Sequence, residues 1–319
     1  MPYNRPAMER SKEFRQAFLE ACKTPPAEKI PLAGLSSFGI GGPADFFFEA
    51  RSPGDLGEAA GLAGRYGVPY RVIGGGTNIL FDDQGYRGLI IRNAAQGIKA
   101  FEEGMTVLSG TPLFRVVQSA QAGGLSGLEF LAGIPGTVGG AVYGNAGAFG
   151  RSVGESIGRA TLLGPAGDIR ETEREGLGFE YRRSSLQGGR EVVLEVQFGL
   201  SPGDPSALES LVRDYMERRT AKHPAPGTAC AGSYFRNPCL PGGARAAAGM
   251  LLDRAGVRGL AVGGAAVYEG HCNFIINTGR ATARDVLALA AEMKDRVYSK
   301  FQVRLEEEVI FLPATDAGP

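Results

Sequence analysis

Residues 124–150 have the sequence GLSGLEFLAGIPGTVGGAVYGNAGAFG and contain nine glycines in 27 positions. Their centre, GIPGTVGGA at residues 133–141, is uncharged and stiffened by proline, which is a poor composition for a solvated linker. A second run, GGGTN at residues 74–78, follows a predicted strand. Consecutive glycines let backbone N–H groups converge on an anion, and Thr77 and Asn78 add side-chain donors. Two such loops in one domain favour a dinucleotide, whose pyrophosphate needs these donors and whose rings need a dry slot.

The charge balance excludes several classes of protein. The chain has 319 residues with 34 Lys+Arg and 34 Asp+Glu, so its formal net charge is zero. A neutral chain lacks the long-range attraction on which nonspecific nucleic-acid and anionic-membrane binding depends. No run approaches the ~18 consecutive apolar residues of a membrane span, and the start, MPYNRPAMERSKEFRQ, is too polar for a signal peptide. We therefore expect a cytoplasmic globular protein with no nucleic-acid or membrane partner, and we predict a monomer.

The cysteines and histidines argue against a metal site. Cys22, Cys230, Cys239 and Cys272 form no C-x-x-C pair, and the whole chain has two histidines. Cys/His metal sites need closely spaced ligands, so we predict no bound metal and reduced, structural thiols.

The order of secondary-structure signals predicts an α+β protein of two domains. Residues 1–25 are expected to form a helical lead-in, and residues 26–202 a first domain that divides near residues 95–105. The sequence SPGDP at residues 201–205 gives the clearest boundary signal. Residues 203–319 are then expected to form a smaller α+β domain.

Local signals place individual elements. Ser52 followed by Pro53 predicts the start of a helix, with serine as the cap and proline at the first helical position. Thr282-x-x-Asp285 has the pattern of a capping box and predicts the start of the last helix. We expect residues 303–312 to form a closing strand.

Several longer motifs resemble one enzyme family. They are, in order, GGGTNILFDDQGYRGLIIR, GLEFLAGIPGTVGGAVYGNAGAFG, AGSYFRNP, GGAAVYEGHCNFIIN and LEEEV. Together they span roughly residues 30–312 and are similar to the UDP-N-acetylenolpyruvoylglucosamine reductases, the MurB family. The resemblance implies an FAD-binding domain of the vanillyl-alcohol-oxidase type, built from two α+β subdomains, followed by a smaller α+β substrate domain.

The resemblance also implies a reaction. NADPH would reduce noncovalently bound FAD, and hydride from flavin N5 would then reduce UDP-N-acetylglucosamine enolpyruvate to UDP-N-acetylmuramate, a step in peptidoglycan precursor synthesis. The short path from Leu200 to Arg218 and Arg219 resembles the type II class, which lacks a substrate-covering tyrosine loop. Residues 35–150 contain no histidine, so covalent attachment of FAD through a histidine of this region is excluded.

The two glycine runs supply the residues expected to bind FAD. From the first motif these are Gly74, Gly75, Gly76, Thr77, Asn78 and Ile79. From the second motif they are Gly133, Ile134, Pro135, Gly136, Thr137, Gly139, Gly140 and Ala141.

Three residues stand where the family has its catalytic groups. Ser233, in Gly-Ser-Tyr, resembles the proton donor to the carbon that bears the carboxylate. Arg182, in Tyr-Arg-Arg, resembles the arginine that holds that carboxylate, a task suited to a bidentate guanidinium. Glu308, in Leu-Glu-Glu-Glu-Val, resembles the glutamate that assists protonation, and a carboxyl group in a dry cleft should have a raised pKa.

Adjacent residues leave alternatives open for two of these assignments. Arg183 is a rival to Arg182, although Tyr-Arg is the pair found in the family. Along a strand Glu306 and Glu308 would share one face while Glu307 points away, and the family spacing selects Glu308.

Two further residues are candidates for substrate binding. Asn237 lies close to Ser233 in sequence, and His271 is one of the two histidines. His271 is equally well explained as an ordinary hydrogen-bonded core residue. The chain also has Thr77, Gly144 and Arg236 where the family commonly has Ser, Met and Lys, and none of these differences removes a needed chemical group.

Two other functions are compatible with the fold. One is an oxidase or dehydrogenase of a hydroxy acid or alcohol on the same FAD-binding domain. The other is a noncatalytic nucleotide-binding protein, which should lack the side chains of Ser233, Arg182 and Glu308. All three are present, so the sequence favours the reductase.

Overall fold

A computed structural model describes residues 7–240 and 242–315, in which helices and strands are mixed along the chain. The helices are α1 (Ala7–Cys22), α2 (Pro53–Tyr66), α3 (Leu113–Ala122), α4 (Val138–Tyr143), α5 (Pro205–Thr220), α6 (Ala248–Arg254) and α7 (Ala283–Phe301). The strands of the first half are β1 (Ala27–Pro31), β2 (Pro43–Ala50), β3 (Tyr70–Ile73), β4 (Ile79–Phe81), β5 (Tyr86–Asn93), β6 (Ile98–Phe101), β7 (Gly104–Leu108), β8 (Leu125–Ser126), β9 (Gly147–Ala148) and β10 (Arg151–Ser152). The later strands are β11 (Ile157–Leu163), β12 (Ile169–Glu173), β13 (Val192–Gly199), β14 (Ser201–Pro202), β15 (Ala261–Val262), β16 (Ala265–Val267), β17 (Ile275–Asn277) and β18 (Ile310–Leu312).

The first sheet has the order β1-β2-β5-β3 and is covered by α1 and α2. Strands β2, β5 and β3 run parallel, and β1 is antiparallel to β2. Helix α1 buries Phe14 and Phe18 completely, with their rings edge-to-face against Phe46 and Phe48 at 5.2 and 4.8 Å. Each buried ring stabilises the fold by about 1.5–3 kcal/mol. Residues 7–22 of the predicted lead-in are thus a packed helix, and residues 1–6 lie outside the described part.

The predicted helix starts at Ser52 and Thr282 are confirmed. Ser52 accepts the N–H of Asp55 on its side chain, and the Asp55 carboxylate accepts the N–H of Ser52 in return. Thr282 and Asp285 form the same reciprocal pair at the start of α7. Each cap satisfies backbone donors that the first helical turn leaves unpaired, which stabilises a helix by about 1 kcal/mol.

The second sheet is antiparallel, with the order β12-β11-β13-β7-β6. Helices α3 and α4 pack on its inner face around Val107, Val196 and Phe198, which are fully buried. The second glycine run begins in the loop between β8 and α4 and continues into α4, so this core holds the run in place.

The C-terminal residues pack around α6, α7 and the three-stranded sheet β15-β16-β17. Phe38, Ile40 and Leu80, from the N-terminal half, lie in the same hydrophobic core. Strand β18 pairs in parallel with β4, and the Asp83 carboxylate accepts the N–H of Ala283 at the start of α7 over 2.7 Å. These contacts join the C-terminal segment to β4 and to the residues that follow β4.

The predicted strand over residues 303–312 is wrong for most of its length. Only Ile310–Leu312 form a strand, while the preceding residues have no regular strand pairing and make a β-bridge between Glu307 and Phe235. Both Glu308 N–H and Val309 N–H are directed at the Tyr234 carbonyl, at 2.7 and 3.5 Å, which interrupts a regular ladder. In the described ranges, no helix has the length and apolar character needed to cross a membrane.

Candidate active site

The two glycine runs lie against each other. The first glycine loop, residues 74–78, connects β3 to β4, and the second glycine loop, residues 133–141, leads into α4. The Thr77 hydroxyl donates to the Pro135 carbonyl over 3.3 Å. A Cβ on Gly75 would lie 3.4 Å from the Cα of Gly136. The sequence predicts that both loops bind one cofactor, and in the structure the two loops are in contact.

The first glycine loop exposes a row of backbone donors. The backbone N–H groups of this loop have no hydrogen-bond acceptor within residues 7–240 and 242–315. These are the N–H groups of Gly74, Gly75, Gly76, Thr77 and Asn78. Gly76 has φ +64°, and a Cβ there would overlap the carbonyl oxygen of Leu35. Converging N–H groups on a glycine surface bind anions, so this loop fits the pyrophosphate of FAD.

The remaining residues expected at the cofactor surround this row. Ile79 begins β4, and Gly139, Gly140 and Ala141 lie in α4. Thr137 precedes α4, and its hydroxyl occupies the space that a Cβ on Gly74 would need. Gly139 donates its N–H to the Ser109 carbonyl over 2.7 Å, and Ile134 packs on the core under α3. The amino end of α4 therefore lies beside the first glycine loop.

Arg182 and Glu308 form an ion pair, although 126 positions separate them in the sequence. Arg182 Nε lies 2.8 Å from Glu308 Oε1, and the two side chains are 22% and 24% exposed. The Nε–H is not aligned on the carboxylate, so this contact is an ion pair without a well-formed hydrogen bond. Arg182 Nη2 donates to the Gly147 carbonyl over 2.8 Å, which ties the guanidinium to the hairpin that follows the second glycine loop.

The backbone of Arg182 has a conformation that is unfavourable for a residue with a side chain. Arg182 has φ +57° in the turn that Glu180 and Arg183 close by reciprocal backbone hydrogen bonds of 3.0 and 3.1 Å. The buried Asn145 donates its side-chain amide to the Glu180 carbonyl over 2.7 Å. A left-handed non-glycine residue costs about 1–2 kcal/mol. The surrounding contacts hold Arg182 there in spite of that cost.

Burial dominates the ionisation of Glu308. Removal of the carboxyl group from water raises its pKa above the usual value of 4.5, and the positive charges of Arg182 and Arg236 oppose that rise. The direction agrees with the expectation from sequence. A carboxyl group whose pKa lies closer to neutrality is suited to hold or pass a proton.

The three consecutive glutamates have different partners. Glu306 lies 3.2 Å from Arg183 Nη2, and its side chain is 66% exposed. Glu307 pairs at 2.5 Å with Lys294 of α7. Glu308 alone pairs with Arg182. Glu306 and Glu308 thus lie on the side of the 182–183 turn while Glu307 points away, as the alternation predicts.

Ser233 lies on a segment that pairs with the glutamate segment. Gly232 has φ +79°, and Ser233 makes a β-bridge with Phe274. The next residue, Tyr234, accepts the Glu308 N–H on its carbonyl over 2.7 Å. Backbone pairing therefore brings Ser233 close to Glu308, and Ser233 stays half-buried.

Two arginines at this site were not assigned from the sequence. In the described residues four buried side-chain polar atoms lack a hydrogen-bond partner, and three of them are the Nε atoms of Arg182, Arg219 and Arg236. Burial and the charge of Arg182 both lower the pKa of Arg219. A Cβ on Gly133 would lie 2.8 Å from Arg219 Cδ, so α5 brings this arginine onto the second glycine loop. Spacing along α5 gives no signal that separates Arg219 from Arg218.

Asn237 and His271 have structural partners. The Asn237 side-chain oxygen accepts the N–H of Ala248 over 2.9 Å at the start of α6. His271 Nδ1 accepts the N–H of Asn273 over 3.2 Å, and the His271 ring lies 6.2 Å from that of His223. These contacts support the second explanation given for His271, that of an ordinary hydrogen-bonded residue.

Known protein families match both halves of the chain. A family model described as the C-terminal domain of UDP-N-acetylenolpyruvoylglucosamine reductase matches residues 223–312. A model described as an FAD binding domain matches residues 44–173. The α+β fold class and an FAD-binding domain, both expected from the sequence, are confirmed.

Relatives with this name are similar over most of their length. The UDP-N-acetylenolpyruvoylglucosamine reductase 2 of Symbiobacterium thermophilum is 40% identical over 281 residues, which cover 88% of this chain and 89% of the relative. The reductase of Geotalea uraniireducens is 41% identical, covering 88% and 91%. The crystal structure of the Thermus caldophilus enzyme (MurB) has a TM-score of 0.74 at 34% identity and covers 90% of this chain and 98% of that one. The chain therefore belongs to the UDP-N-acetylenolpyruvoylglucosamine reductase (MurB) family of FAD-dependent oxidoreductases.

Proposed function

We propose that this chain reduces UDP-N-acetylglucosamine enolpyruvate to UDP-N-acetylmuramate at the expense of NADPH, a step in peptidoglycan precursor synthesis. FAD, when bound, supplies the means of passing a hydride from NADPH to the enolpyruvyl carbon distant from the ether oxygen. Residues 26–202 would bind FAD and residues 203–319 would bind most of the substrate. The name shared by the relatives and the agreement of the site with this chemistry support the proposal.

Arg182 would bind the enolpyruvyl carboxylate. Addition of hydride to the far carbon leaves negative charge on the carbon that bears the carboxylate, and a guanidinium stays charged while it binds both carboxylate oxygens. Arg182 is half-buried and its guanidinium lies beside Glu308, so a carboxylate bound there would meet a positive charge in a partly dry site. The backbone strain at Arg182 supports a functional role, since such strain concentrates at active sites.

Ser233 would deliver the proton that completes the reduction. The carbon next to the carboxylate is a strong base after hydride addition and can take a proton from a hydroxyl group. Glu308, whose pKa burial raises, would polarise the developing enolate and assist this transfer. The serine is then reprotonated from solvent, so the balance is one hydride from NADPH and one proton from water per product.

Arg219 and Arg236 would bind the diphosphate of the substrate. Arg219 and Arg236 have buried Nε atoms without partners, and Glu308 is the carboxylate that lies closest to Arg182. Three guanidinium groups at this site favour a ligand with several negative charges. A substrate with one carboxylate and one diphosphate has that character.

A single observation carries the proposal: Glu308 contacts Arg182 through its side chain and Tyr234, next to Ser233, through its backbone. The test uses FAD-loaded protein reduced anaerobically with one equivalent of NADPH. UDP-N-acetylglucosamine enolpyruvate is then added while the visible flavin absorbance is followed. We expect bleaching by NADPH, then full recovery of the oxidised spectrum, with one UDP-N-acetylmuramate formed per flavin.

Other outcomes separate the rival functions. Bleaching without recovery would mean a flavoenzyme with another acceptor. Bleaching by a hydroxy acid or alcohol in place of NADPH would favour the oxidase or dehydrogenase. Absence of a flavin spectrum after saturation with FAD would contradict the proposal altogether.

A further inference from the structure

Asn78 connects the first glycine loop to the segment that carries Glu308. It is the last residue of that loop and precedes β4. Its side-chain amide Nδ2 donates to the backbone carbonyl of Glu308 over 3.0 Å. Its own carbonyl accepts the N–H of Ile310 over 3.0 Å, where β18 begins to pair with β4. One loop residue therefore holds the chain on both sides of Val309.

In the part of the chain that the structure describes, the backbone of Glu308 has no other partner that links it to the cofactor loops. Its N–H donates to the Tyr234 carbonyl over 2.7 Å, and its carbonyl accepts from Asn78. The carboxyl group contacts Arg182 without hydrogen-bond alignment and lies within the influence of the charge of Arg236. The position of the carboxyl group relative to the first glycine loop thus depends on the bond from Asn78.

We propose that Asn78 is a positioning residue for Glu308 and couples binding at the first glycine loop to the placement of the carboxyl group. This inference rests on the proposed function, since it assigns Asn78 to the proton-transfer half of that reaction. Among the described residues the loop N–H groups next to Asn78 have no acceptor, so a pyrophosphate bound there would restrain the loop backbone and, through Asn78, the Glu308 carbonyl. A displacement of about 1 Å at a reacting group can slow a step 10²-fold.

Two substitutions separate the hydrogen bond from packing. Asn78→Ala removes the donor. Asn78→Asp is nearly isosteric but replaces the donor by an acceptor that faces the Glu308 carbonyl. Both variants are measured at saturating FAD, because Asn78 is one of the residues expected to bind FAD, and in each we expect reoxidation to slow at least about tenfold more than flavin reduction by NADPH. Reoxidation by UDP-N-acetylglucosamine enolpyruvate should slow by about 10- to 100-fold. Wild-type reoxidation in Asn78→Asp would show that only packing matters and would overturn the inference.

Asn277→Asp is the matched control. Asn277 Nδ2 donates to the Phe38 carbonyl over 2.9 Å, so it also joins the C-terminal residues to the N-terminal half through a main-chain carbonyl. Its Oδ1 accepts from Gly279 and Ala281, and an aspartate keeps those bonds. We expect both half-reactions of Asn277→Asp to match wild type. A reoxidation rate as slow as that of Asn78→Asp would mean that general loosening is responsible, which contradicts a specific role for Asn78.

A readout without turnover tests the coupling itself. Amide hydrogen exchange of residues 305–312 is compared in apoprotein and FAD-loaded protein. FAD should slow exchange there at least about threefold in wild type and have a smaller effect in Asn78→Ala. Equal exchange with and without FAD in wild type would overturn the coupling.

Glu308→Gln separates failure of this inference from failure of the proposed function. If Glu308→Gln reoxidises at the wild-type rate, the role given to Glu308 is wrong, and the role of Asn78 fails with it. If Glu308→Gln is slow while both Asn78 variants match Asn277→Asp, the proposed function stands and this inference is wrong.

Discussion

Arg182 Nε lies 2.8 Å from Glu308 Oε1, and yet burial keeps the pKa of the Glu308 carboxyl group above its usual value. The charge of Arg182 acts in the opposite direction to burial and does not overcome it. A surface ion pair would lower the pKa of its carboxyl group. The pair at this site instead leaves a carboxyl group that is easier to protonate than an exposed one.

The first prediction concerns the charge of Arg182. Arg182→Gln should raise the pKa of Glu308 further, because the largest opposing positive charge is lost while burial remains. The measurement is a pH titration of ¹³C-labelled glutamate carboxyl groups by NMR, with the Glu308 signal assigned by its loss in Glu308→Gln. Arg183→Gln is the control, since Arg183 is exposed and pairs with Glu306. An unchanged or lower pKa in Arg182→Gln would contradict this account of the pair.

The second prediction concerns the shape of the cation. Arg182→Lys keeps the charge but cannot bind a carboxylate bidentately, and it removes the donor to the Gly147 carbonyl. A lost charge-assisted hydrogen bond costs about 1.5–3 kcal/mol, so reoxidation by the enolpyruvyl substrate should slow by about 10- to 100-fold. Stopped-flow absorbance measures the rate, with Arg183→Lys as the neighbouring control. Equal slowing in both variants would favour Arg183 as the carboxylate ligand, the alternative left open by the sequence.

The third prediction concerns Ser233. Ser233→Ala should leave flavin reduction by NADPH within about threefold of wild type, because no substrate proton moves in that half-reaction. Reoxidation should fall by about 10²- to 10⁴-fold, the range for loss of a general acid. Ser210→Ala, on the exposed surface of α5, should change neither rate. Loss of both half-reactions in Ser233→Ala would indicate a structural role for the serine.

The sequence correctly predicted those elements whose stabilising contacts join residues a few positions apart. The caps at Ser52 and Thr282 are pairs three residues apart, so their hydrogen bonds are visible in the sequence. The segment before β18 was misassigned because its apolar residues, among them the buried Leu305 and Val309, are compatible with a strand in the sequence. Those side chains are buried in a segment without regular strand pairing, and pairing with a distant segment depends on the tertiary fold.

The residues of the candidate site likewise include some that sequence motifs predict and others whose position depends on the tertiary fold. Family motifs nominated Ser233, Arg182 and Glu308, and backbone pairing and the 182–308 ion pair bring them together. Arg219 was not predicted because its position depends on how α5 packs against Gly133, and the spacing of residues in the sequence does not indicate that packing. The bond between Asn78 and Glu308 spans 230 positions and was equally invisible in the sequence.

The fourth prediction uses two adjacent glycines of the first glycine loop. Gly76→Ala should destabilise the protein by about 2–4 kcal/mol, because the new Cβ would be strained at φ +64° and would overlap the Leu35 carbonyl. Gly75→Ala should keep the wild-type melting temperature, since its Cβ would make an ordinary 3.4 Å contact with Gly136. The added methyl group lies among the free N–H groups, so FAD affinity should fall about tenfold or more. Thermal unfolding and FAD fluorescence titration measure these effects, and unchanged FAD affinity in Gly75→Ala would place the pyrophosphate elsewhere.

The fifth prediction concerns stability in acid. Burial, helped by the charges of Arg219, His271 and Lys222, lowers the pKa of His223 from 6.5 to about 4. The folded state therefore keeps His223 neutral where the unfolded chain is already protonated. The stability tied to this neutral form is complete above pH 6.5 and is lost as the pH falls towards about 4.

His223→Gln cannot titrate and should lose less stability than wild type between pH 7 and pH 4.5. The expected difference is on the order of 1–2 kcal/mol, reduced from the full linkage value because His223 is only half-buried. Urea unfolding at the two pH values measures it. Some pH dependence should remain in the variant, because burial also lowers the pKa of His271. The same loss of stability in His223→Gln and wild type would mean that His223 is protonated in the folded protein as readily as in the unfolded chain, and its contacts with His271 and Phe274 would then have to open to water.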